Sequence, residues 1–428
     1  MSTQTDHQPE HSDAPGGWRV LAPFRFREYR LLIAALSIVI FAEGMWTVVM
    51  ALQVIELTHD PAALSLVAAC LSVGLVAFVL VGGIVADRIP QRTIIIGVEA
   101  VNTVAVAAVA LLGATGSLRI WHMATAAAVL GVAAAFFFPA YSAYLPRILP
   151  AEQLLAANGV EGVVRPVLQR AAGPAVAGVL VGATFPTLGA GAVAVLFAAA
   201  LVLLVATRPA TVGRVDERTE KPHVLDDLRA GLRFVTGTPW LLATVLFATG
   251  AVLLIVGPIE VLLPFVTAER FSDGARMYGF ALTAYGVGGA LGALAVSSGR
   301  LPRRYLTVMM LMWGLGALPL ALVGTTWSFP VMAAALFVVG VTDGAGMVIW
   351  GTLLQRRVPA TMLGRVSSLD FFVSLALMPV SMAIAGPLSK VVSMQTIFIV
   401  AGAGPIVLAL IALLAARMPR DEIAHPLR

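Results

Sequence analysis

The chain has 428 residues, of which 59% are hydrophobic and only 12% are charged. Soluble proteins carry about 25% charged residues, so this composition excludes a sizeable soluble domain. The net charge of +5 would suit a nucleic-acid partner, but the arginines alternate with long apolar runs, and we predict no nucleic-acid binding. The single cysteine, Cys70, lies in an apolar run and excludes a disulfide framework.

The chain contains about twelve apolar runs of the length that crosses a bilayer, which takes about 20 residues in a helix. We number them spans 1 to 12 in chain order. They are predicted over residues 31–57, 62–86, 93–115, 121–145, 154–182, 186–207, 241–267, 277–297, 306–325, 329–354, 366–388 and 392–416.

Basic residues concentrate in every second gap between the spans. The intervening gaps hold only Arg119, Arg270, Arg276 and Lys390. By the positive-inside rule, both termini are predicted to be cytoplasmic in a multi-pass protein of the cell inner membrane. The polar segment 1–17 lacks the apolar stretch of a signal peptide and is predicted to be part of a cytoplasmic tail.

The predicted organisation is an N-terminal tail, two six-helix halves joined by a linker, and a C-terminal tail. Their bounds are 1–27, 28–207, 208–239, 240–417 and 418–428. In the linker, Leu228, Leu232 and Val235 recur at helical spacing between charges, which favours a cytoplasmic amphipathic helix. A solvated linker with lipid-facing arginines accounts for most of the same facts.

The two halves look like repeats of one another. Arg88 follows span 2 as Arg300 follows span 8, and Arg147 follows span 4 as Arg356 follows span 10, at nearly the same sequence shift. Parallel six-span halves predict a transporter whose site lies between them near the bilayer midplane. The predicted fold class is therefore an all-α polytopic membrane protein with twelve transmembrane helices in two pseudo-repeats.

The loop between spans 2 and 3 contains Gly83, Asp87, Arg88 and Arg92. This run resembles the G-x-x-x-D-R-x-G-R-R signature of the major facilitator superfamily, with Pro90 in place of a glycine. The resemblance implies that Asp87 latches the loop to the start of span 11 in the outward-facing state, and that Gly83 allows close helix approach. Ordinary positive-inside anchoring is the alternative interpretation.

Spans 4 and 5 extend the resemblance. Span 4 contains Pro139 in a Phe-Pro-Ala segment, but Ala127 stands where many proton-coupled members have arginine. In span 5, Gly173, Pro174 and Gly178 resemble the core of the motif of exporters in this superfamily, although its flanking glycines are missing. A purely structural bend at the proline is the alternative.

Charges inside spans are costly in lipid, and they are the candidate transport residues. At the helical rise, Glu43 lies about 18 Å and Arg165 about 16 Å into their spans, both near the midplane. We predict proton-coupling or substrate-binding roles for Glu43, Arg165, Asp343 and Glu161. The alternatives are an i,i+4 pair of Glu161 with Arg165, an ion pair of Glu43 with Arg165, and a packed, capped Asp343.

Weaker candidates are Glu260, toward the outer half, and Glu99 and Asp370, expected near inner ends that water reaches. The sequence has no phosphate-binding loop and no histidine pair at metal spacing. We therefore predict that the chain is not an enzyme and that it uses no cofactor or metal.

These features together predict a secondary transporter that exports amphipathic molecules of drug, macrolide or siderophore type by proton antiport with alternating access. The span 4 and span 5 segments most resemble the bacterial branch of macrolide and enterobactin exporters. The expected partners are the substrate, protons and the bilayer, with the protein a monomer. The alternative is an importer or symporter that takes up a small organic anion through Arg165.

Overall fold

The computed structural model describes residues 19–208 and 224–427, apart from the side chains at positions 19, 20, 80, 84, 87, 151, 155, 224–228, 360 and 361. This part of the chain is helical and contains no strand. Eleven of its helices are long and apolar enough to cross a membrane. The remaining long element, span 5, carries more charge, and its inclusion confirms the predicted twelve-helix membrane fold.

The observed spans follow the predicted order. Spans 1 to 6 are Arg27–Leu57, Pro61–Arg88, Gln91–Ala114, Ile120–Ile148, Ala151–Ala183 and Pro186–Val205. Spans 7 to 12 are Pro239–Arg270, Gly274–Ser297, Tyr305–Thr325, Phe329–Arg357, Ala360–Ser389 and Met394–Ala415. A short 3₁₀ helix, Arg19–Arg25, precedes span 1, and further helices occupy Val224–Gly237 and Met418–Ala424.

Prolines set the starts and the interruptions of several spans. Pro61 occupies the first helical position of span 2, where the missing N–H costs nothing, and the Asp60 side chain accepts the Ala62 amide at 2.9 Å. Inside spans 5 and 7, π-helical segments begin at prolines, over Pro166–Ala172 and Pro258–Leu262. Such segments leave main-chain carbonyls free for contacts with neighbouring helices.

Within each half, the same pairs of spans pack most extensively, spans 2 and 4 in the first and spans 8 and 10 in the second. Glycines allow this approach. A Cβ on Gly74 would lie 2.6 Å from the Ala128 carbonyl oxygen, and one on Gly288 would lie still closer to the Phe337 carbonyl oxygen. Small residues at helix contacts are the usual means of close packing in membranes. The matching pairs agree with the repeat predicted from the sequence.

The two halves meet along spans 2 and 11 and along spans 5 and 8. We call the side of the molecule with Arg88, Arg147, Arg300 and Arg356 the arginine-rich face, and the side with Asp60 the opposite face. The inter-half contacts lie toward the opposite face. On the arginine-rich side, segment Ala151–Arg165 of span 5 packs within its own half and on the short helix before span 1. Segment Ala360–Leu375 of span 11 packs within its own half and on the linker helix. A cleft between the halves therefore opens at the arginine-rich face.

The segment predicted as a C-terminal tail is instead packed against the bundle. Glu422 is 1% exposed, and its carboxylate accepts the amides of Leu306 and Thr307 at 2.9 and 3.1 Å. The Thr307 hydroxyl donates to it as well, at 2.7 Å. The first amides of span 9 lack helical partners, and a carboxylate from the C-terminal helix satisfies them. The local sequence of 418–428 gives no sign of this partner.

Gly83 does not lie at a close helix contact, contrary to expectation, because a Cβ added there would have no atom within 4 Å. The close approach occurs at its neighbour Gly82, which packs on the Ala135 carbonyl of span 4. The helix Val224–Gly237 falls within the predicted linker, whose residues 209–223 lie outside the described part of the chain.

Candidate transport site between the two halves

The π-helical segment of span 5 brings span 1 to the centre of the molecule. The Gln169 carbonyl packs against Gly44, and a Cβ on Gly173 would lie 2.8 Å from the Phe41 carbonyl oxygen. This backbone contact places Glu43 beside the Gln169 side chain. The Gln169 Nε2 donates to the Glu43 Oε2 at 2.8 Å.

The next residue, Arg170, faces the second half. Its Nη1 lies 3.8 Å from the Asp343 Oδ2 of span 10, and the Tyr285 hydroxyl of span 8 donates to the same oxygen at 2.8 Å. The Arg170 side chain is 55% exposed because it faces the cleft. Glu260, in the π-helical segment of span 7, is a further acid in the electrostatic surroundings of Arg170.

Main-chain contacts hold the π-helical segment against span 8 as well as span 1. The Arg170 carbonyl packs on Gly286, and the Thr283 hydroxyl donates to the Ala171 carbonyl at 2.9 Å. The segment therefore sits at a meeting point of the two halves. Through Gln169 and Arg170 it connects an acid of the first half with an acid of the second.

The Arg165 charge is balanced within its own span. Its Nη2 donates to the Glu161 Oε1 at 2.8 Å, one helical turn away, and its guanidinium lies 5.2 Å from the centroid of the Phe138 ring. No ion pair joins Glu43 to Arg165 in the described part of the chain. The Glu43 carboxylate accepts a hydrogen bond from Gln169, and Arg165 lies in its electrostatic surroundings.

Glu99 does not lie where water reaches it, contrary to expectation, because the residue is 0% exposed. Asn102 Nδ2 lies 3.5 Å from one carboxylate oxygen, and the other oxygen has no hydrogen-bond partner in the described chain. Glu99 lies in the electrostatic surroundings of Glu43. The first half thus holds a second enclosed carboxyl group.

A cavity of about 500 Å³ lies in the second half beside the Arg170–Asp343 pair. Its apolar wall includes Phe247 and Trp313, whose rings stack with centroids 5.9 Å apart. Asp370 of span 11 also lines it, and this carboxylate accepts hydrogen bonds from Trp350 Nε1 at 3.0 Å and the Ser374 hydroxyl at 3.2 Å. The cavity is therefore largely apolar, with a few placed charges.

The exporter-type residues of span 5 lie at helix contacts. Gly173 faces span 1, and a Cβ on Gly178 would lie 2.9 Å from the Gly279 Cα of span 8. Pro174 opens the α-helical segment Gly173–Ala183 beside them. These small residues let one helix touch both halves at once. Their connection with export stays a prediction.

The proposed latch residues are described only in part. Arg92 donates to the main-chain carbonyls of Thr207 and Val205, at 3.1 and 2.9 Å, and thereby ties span 3 to the end of span 6. Arg88 is exposed, and the Asp87 side chain lies outside the described side chains. The latch stays a prediction.

Sequence reasoning singled out Glu43, Arg165, Asp343 and Glu161. The structure adds three further residues: Gln169 lies beside Glu43, and Arg170 and Tyr285 lie beside Asp343. The available signal was a pair of adjacent polar residues, Gln169 and Arg170, inside an otherwise apolar span. The sequence carries no sign of which neighbouring span each one faces.

Twelve spans in two matched halves, with charges gathered at a cleft between them, define a membrane transporter. The family model of the Major Facilitator Superfamily matches residues 32–379. The chain therefore belongs to the major facilitator superfamily and is a multi-pass membrane transporter.

Curated relatives cover most of the chain. It is 27% identical over 413 residues to the multidrug efflux pump Tap of Mycolicibacterium fortuitum, covering 92% of this chain and 97% of Tap. It is 28% identical over 353 residues to the enterobactin exporter EntS of Escherichia coli O1:K1 / APEC, covering 80% of each.

Solved structures share the fold at low sequence identity. The nucleoside transporter NupG matches with a TM-score of 0.69 and 15% identity, over 91% of this chain and 99% of NupG. A bacterial homologue of the human lysosomal transporter Spinster, in an inward-facing and unoccupied conformation, matches with a TM-score of 0.65 and 15% identity, over 96% and 99% of the two chains.

Proposed function

We propose that this protein exports amphipathic small molecules across the cell inner membrane by proton antiport and alternating access. The observation that carries the proposal is the connection of Glu43 and Asp343, through Gln169 and Arg170, at a contact between the halves and beside a largely apolar cavity. The names of two relatives, an efflux pump and an exporter, support the outward direction.

The positive-inside rule supports a cytoplasmic position for the arginine-rich face and both termini. The cleft then opens to the cytoplasm, and the structure corresponds to the inward-facing state. Substrate enters the cavity from the cytoplasm or the inner leaflet, and rocking of the halves about the π-helical segment exposes it to the outside.

Protonation of Glu43 is the coupling step. An ionised Glu43 accepts a hydrogen bond from Gln169 Nε2, whereas a protonated Glu43 donates a hydrogen bond and favours the Gln169 side-chain carbonyl oxygen as its acceptor. The change in charge thus reverses the hydrogen bond that holds the π-helical segment to span 1. Because the same segment contacts span 8 through Gly286 and Thr283, the protonation state biases the contact between the halves.

Transport by purified protein in liposomes with an imposed pH gradient tests this proposal. Glu43→Gln removes the titrating group and retains the size of the side chain, so gradient-driven export of a fluorescent drug is expected to fall to the level of empty liposomes while drug binding persists. Glu152→Gln, at an exposed acid of the same span as Gln169, is the matched control and retains transport. Unchanged export by Glu43→Gln would exclude Glu43 as the proton carrier.

Uptake of an organic anion through Arg165 receives no support from the geometry, because Glu161 already balances that charge. Accumulation in intact cells separates the two directions. Export predicts that cells expressing the protein retain less dye, and uptake predicts that they retain more.

A further inference from the structure

The charges around the cavity in the second half do not balance. Asp343 is paired with Arg170, at 3.8 Å. Asp370 lines the same cavity, and its hydrogen-bond donors within the described chain are the neutral groups of Trp350 and Ser374. The cavity thus has more acidic than basic groups, which favours a cationic occupant.

Two hydrogen bonds orient the Asp370 carboxylate and leave part of its acceptor capacity free. One oxygen accepts a hydrogen bond from Trp350 Nε1 at 3.0 Å, and the other accepts a hydrogen bond from the Ser374 hydroxyl at 3.2 Å. An ionised carboxylate has about four acceptor positions, so two neutral donors leave capacity for a cation. Its neighbour Phe371 is 50% exposed and lines the cavity with it, so this stretch of span 11 faces the cleft.

Aromatic rings surround the same space. The stacked pair of Phe247 and Trp313 lines it, together with Trp350, and Met347 adds an adaptable apolar side chain. Aromatic faces attract cations, most strongly where water is scarce. A carboxylate oriented beside indole and phenyl rings is the chemistry that recognises a bulky organic cation.

We infer that this cavity binds monovalent amphipathic organic cations, with Asp370 as the counter-ion and Phe247, Trp313 and Trp350 as the aromatic wall. This inference rests on the proposed function only in taking the bound cation to be an exported substrate. The anion-importer alternative predicts the opposite charge preference.

Two probes of nearly equal shape and opposite charge test the inference, tetraphenylphosphonium and tetraphenylborate. Each is titrated separately into purified protein in nanodiscs, with tryptophan fluorescence as the readout and empty nanodiscs subtracted. We expect the wild-type protein to bind the phosphonium more tightly. Asp370→Asn is expected to weaken phosphonium binding about tenfold, the effect of losing one close charge partner in a partly enclosed site, and to leave borate binding equal or stronger.

Two variants control for misfolding. Asp370→Glu retains the charge and is expected to keep phosphonium affinity within about threefold, whereas Asp273→Asn removes an acid at the opposite face and changes nothing. The inference is overturned if Asp370→Asn binds phosphonium within twofold of wild type. It is also overturned if Asp370→Glu loses as much affinity as Asp370→Asn, or if wild type binds the borate at least as tightly.

Transport separates this inference from the proposed function. Phosphonium binding that depends on Asp370, without gradient-driven efflux of any probe, supports the cation site and overturns proton-coupled export. Efflux of a neutral amphiphile, combined with phosphonium binding that is indifferent to Asp370, overturns the cation site and leaves the export proposal standing.

Discussion

Gln169 and Arg170 are consecutive residues that contact opposite halves of the transporter. Gln169 donates to Glu43 of span 1 at 2.8 Å, and Arg170 lies 3.8 Å from Asp343 of span 10. They belong to a π-helical segment, a conformation that is rare and often found at functional sites. The two acids are therefore connected through a single turn of helix.

The tight contact of spans 1 and 5 predicts a large effect of one methyl group. Gly44→Ala places a Cβ against the Gln169 carbonyl, and Gly173→Ala places one 2.8 Å from the Phe41 carbonyl oxygen. Because backbone must move in either case, we expect a loss of about 1–3 kcal/mol in stability. Thermal unfolding in detergent measures it.

The control is an alanine in the same helix with room around it. Gly162→Ala has no atom within 4 Å of the new Cβ, and it gains helix propensity. Its unfolding temperature is expected to be unchanged or higher. Equal losses in Gly162→Ala and Gly173→Ala would contradict the packing explanation.

The ion pair between Asp60 and Lys390, 2.8 Å apart, joins the two halves at the opposite face. Both side chains are about half exposed, so the pair contributes at most about 1 kcal/mol. Lys390→Ala is expected to lower the population of the conformation closed at this face, relative to the open one, by up to about fivefold. Spin labels on His59→Cys and Val391→Cys, in a Cys70→Ser background, report the separation, since both positions are exposed.

The same labels give a pH test. The hydrogen bond with Lys390, and then that from the Ala62 amide, lowers the pKa of Asp60 below its usual value in the closed conformation. The stabilisation is therefore complete above the ordinary aspartate pKa of about 4 and is lost as the pH falls further. We expect the part of the label distance that depends on Lys390 to be constant between about pH 5 and 8 and to be lost below about 4. A pH response that persists in Lys390→Ala would assign it to another group.

A double-mutant cycle distinguishes the two interpretations of Glu161 and Arg165. Their side chains are 20% and 26% exposed, so a coupling below about 1 kcal/mol in stability is expected. If the pair is only structural, Arg165→Gln combined with Glu161→Gln retains transport. If Arg165 contacts substrate, every variant lacking it loses transport, whatever stands at position 161.

Removal of the Glu422 charge is expected to loosen the C-terminal helix from the start of span 9. Hydrogen bonds to a buried charged group contribute about 1.5–3 kcal/mol, so Glu422→Gln should lower the unfolding temperature clearly. Arg420→Gln, at an exposed position of the same helix, is the control and should have little effect. Equal unfolding temperatures for the two variants would show that the Glu422 charge adds nothing to stability.

Local sequence was enough to predict the twelve spans, the repeat of the halves and the pair of Glu161 with Arg165. The spans follow from the cost of placing polar groups in lipid, the repeat from matching residues at one sequence shift, and the pair from neighbours along one helix. None of these requires knowledge of the partner helices. The burial of Glu99 and the packing of Glu422 on span 9 depend on which helix lies alongside, and sequence reasoning did not find them.

Tertiary structure alone decided which charges meet. From the sequence, Glu43 had Arg165 as a candidate partner, yet the π-helical segment turns Gln169 toward it and sends Arg170 to Asp343. The physical reason is that the insertion of a span in lipid depends on the apolar character of its own residues, which is a local property of the sequence. The direction of one side chain depends on close contacts such as Gly44 with Gln169, between residues far apart in the chain.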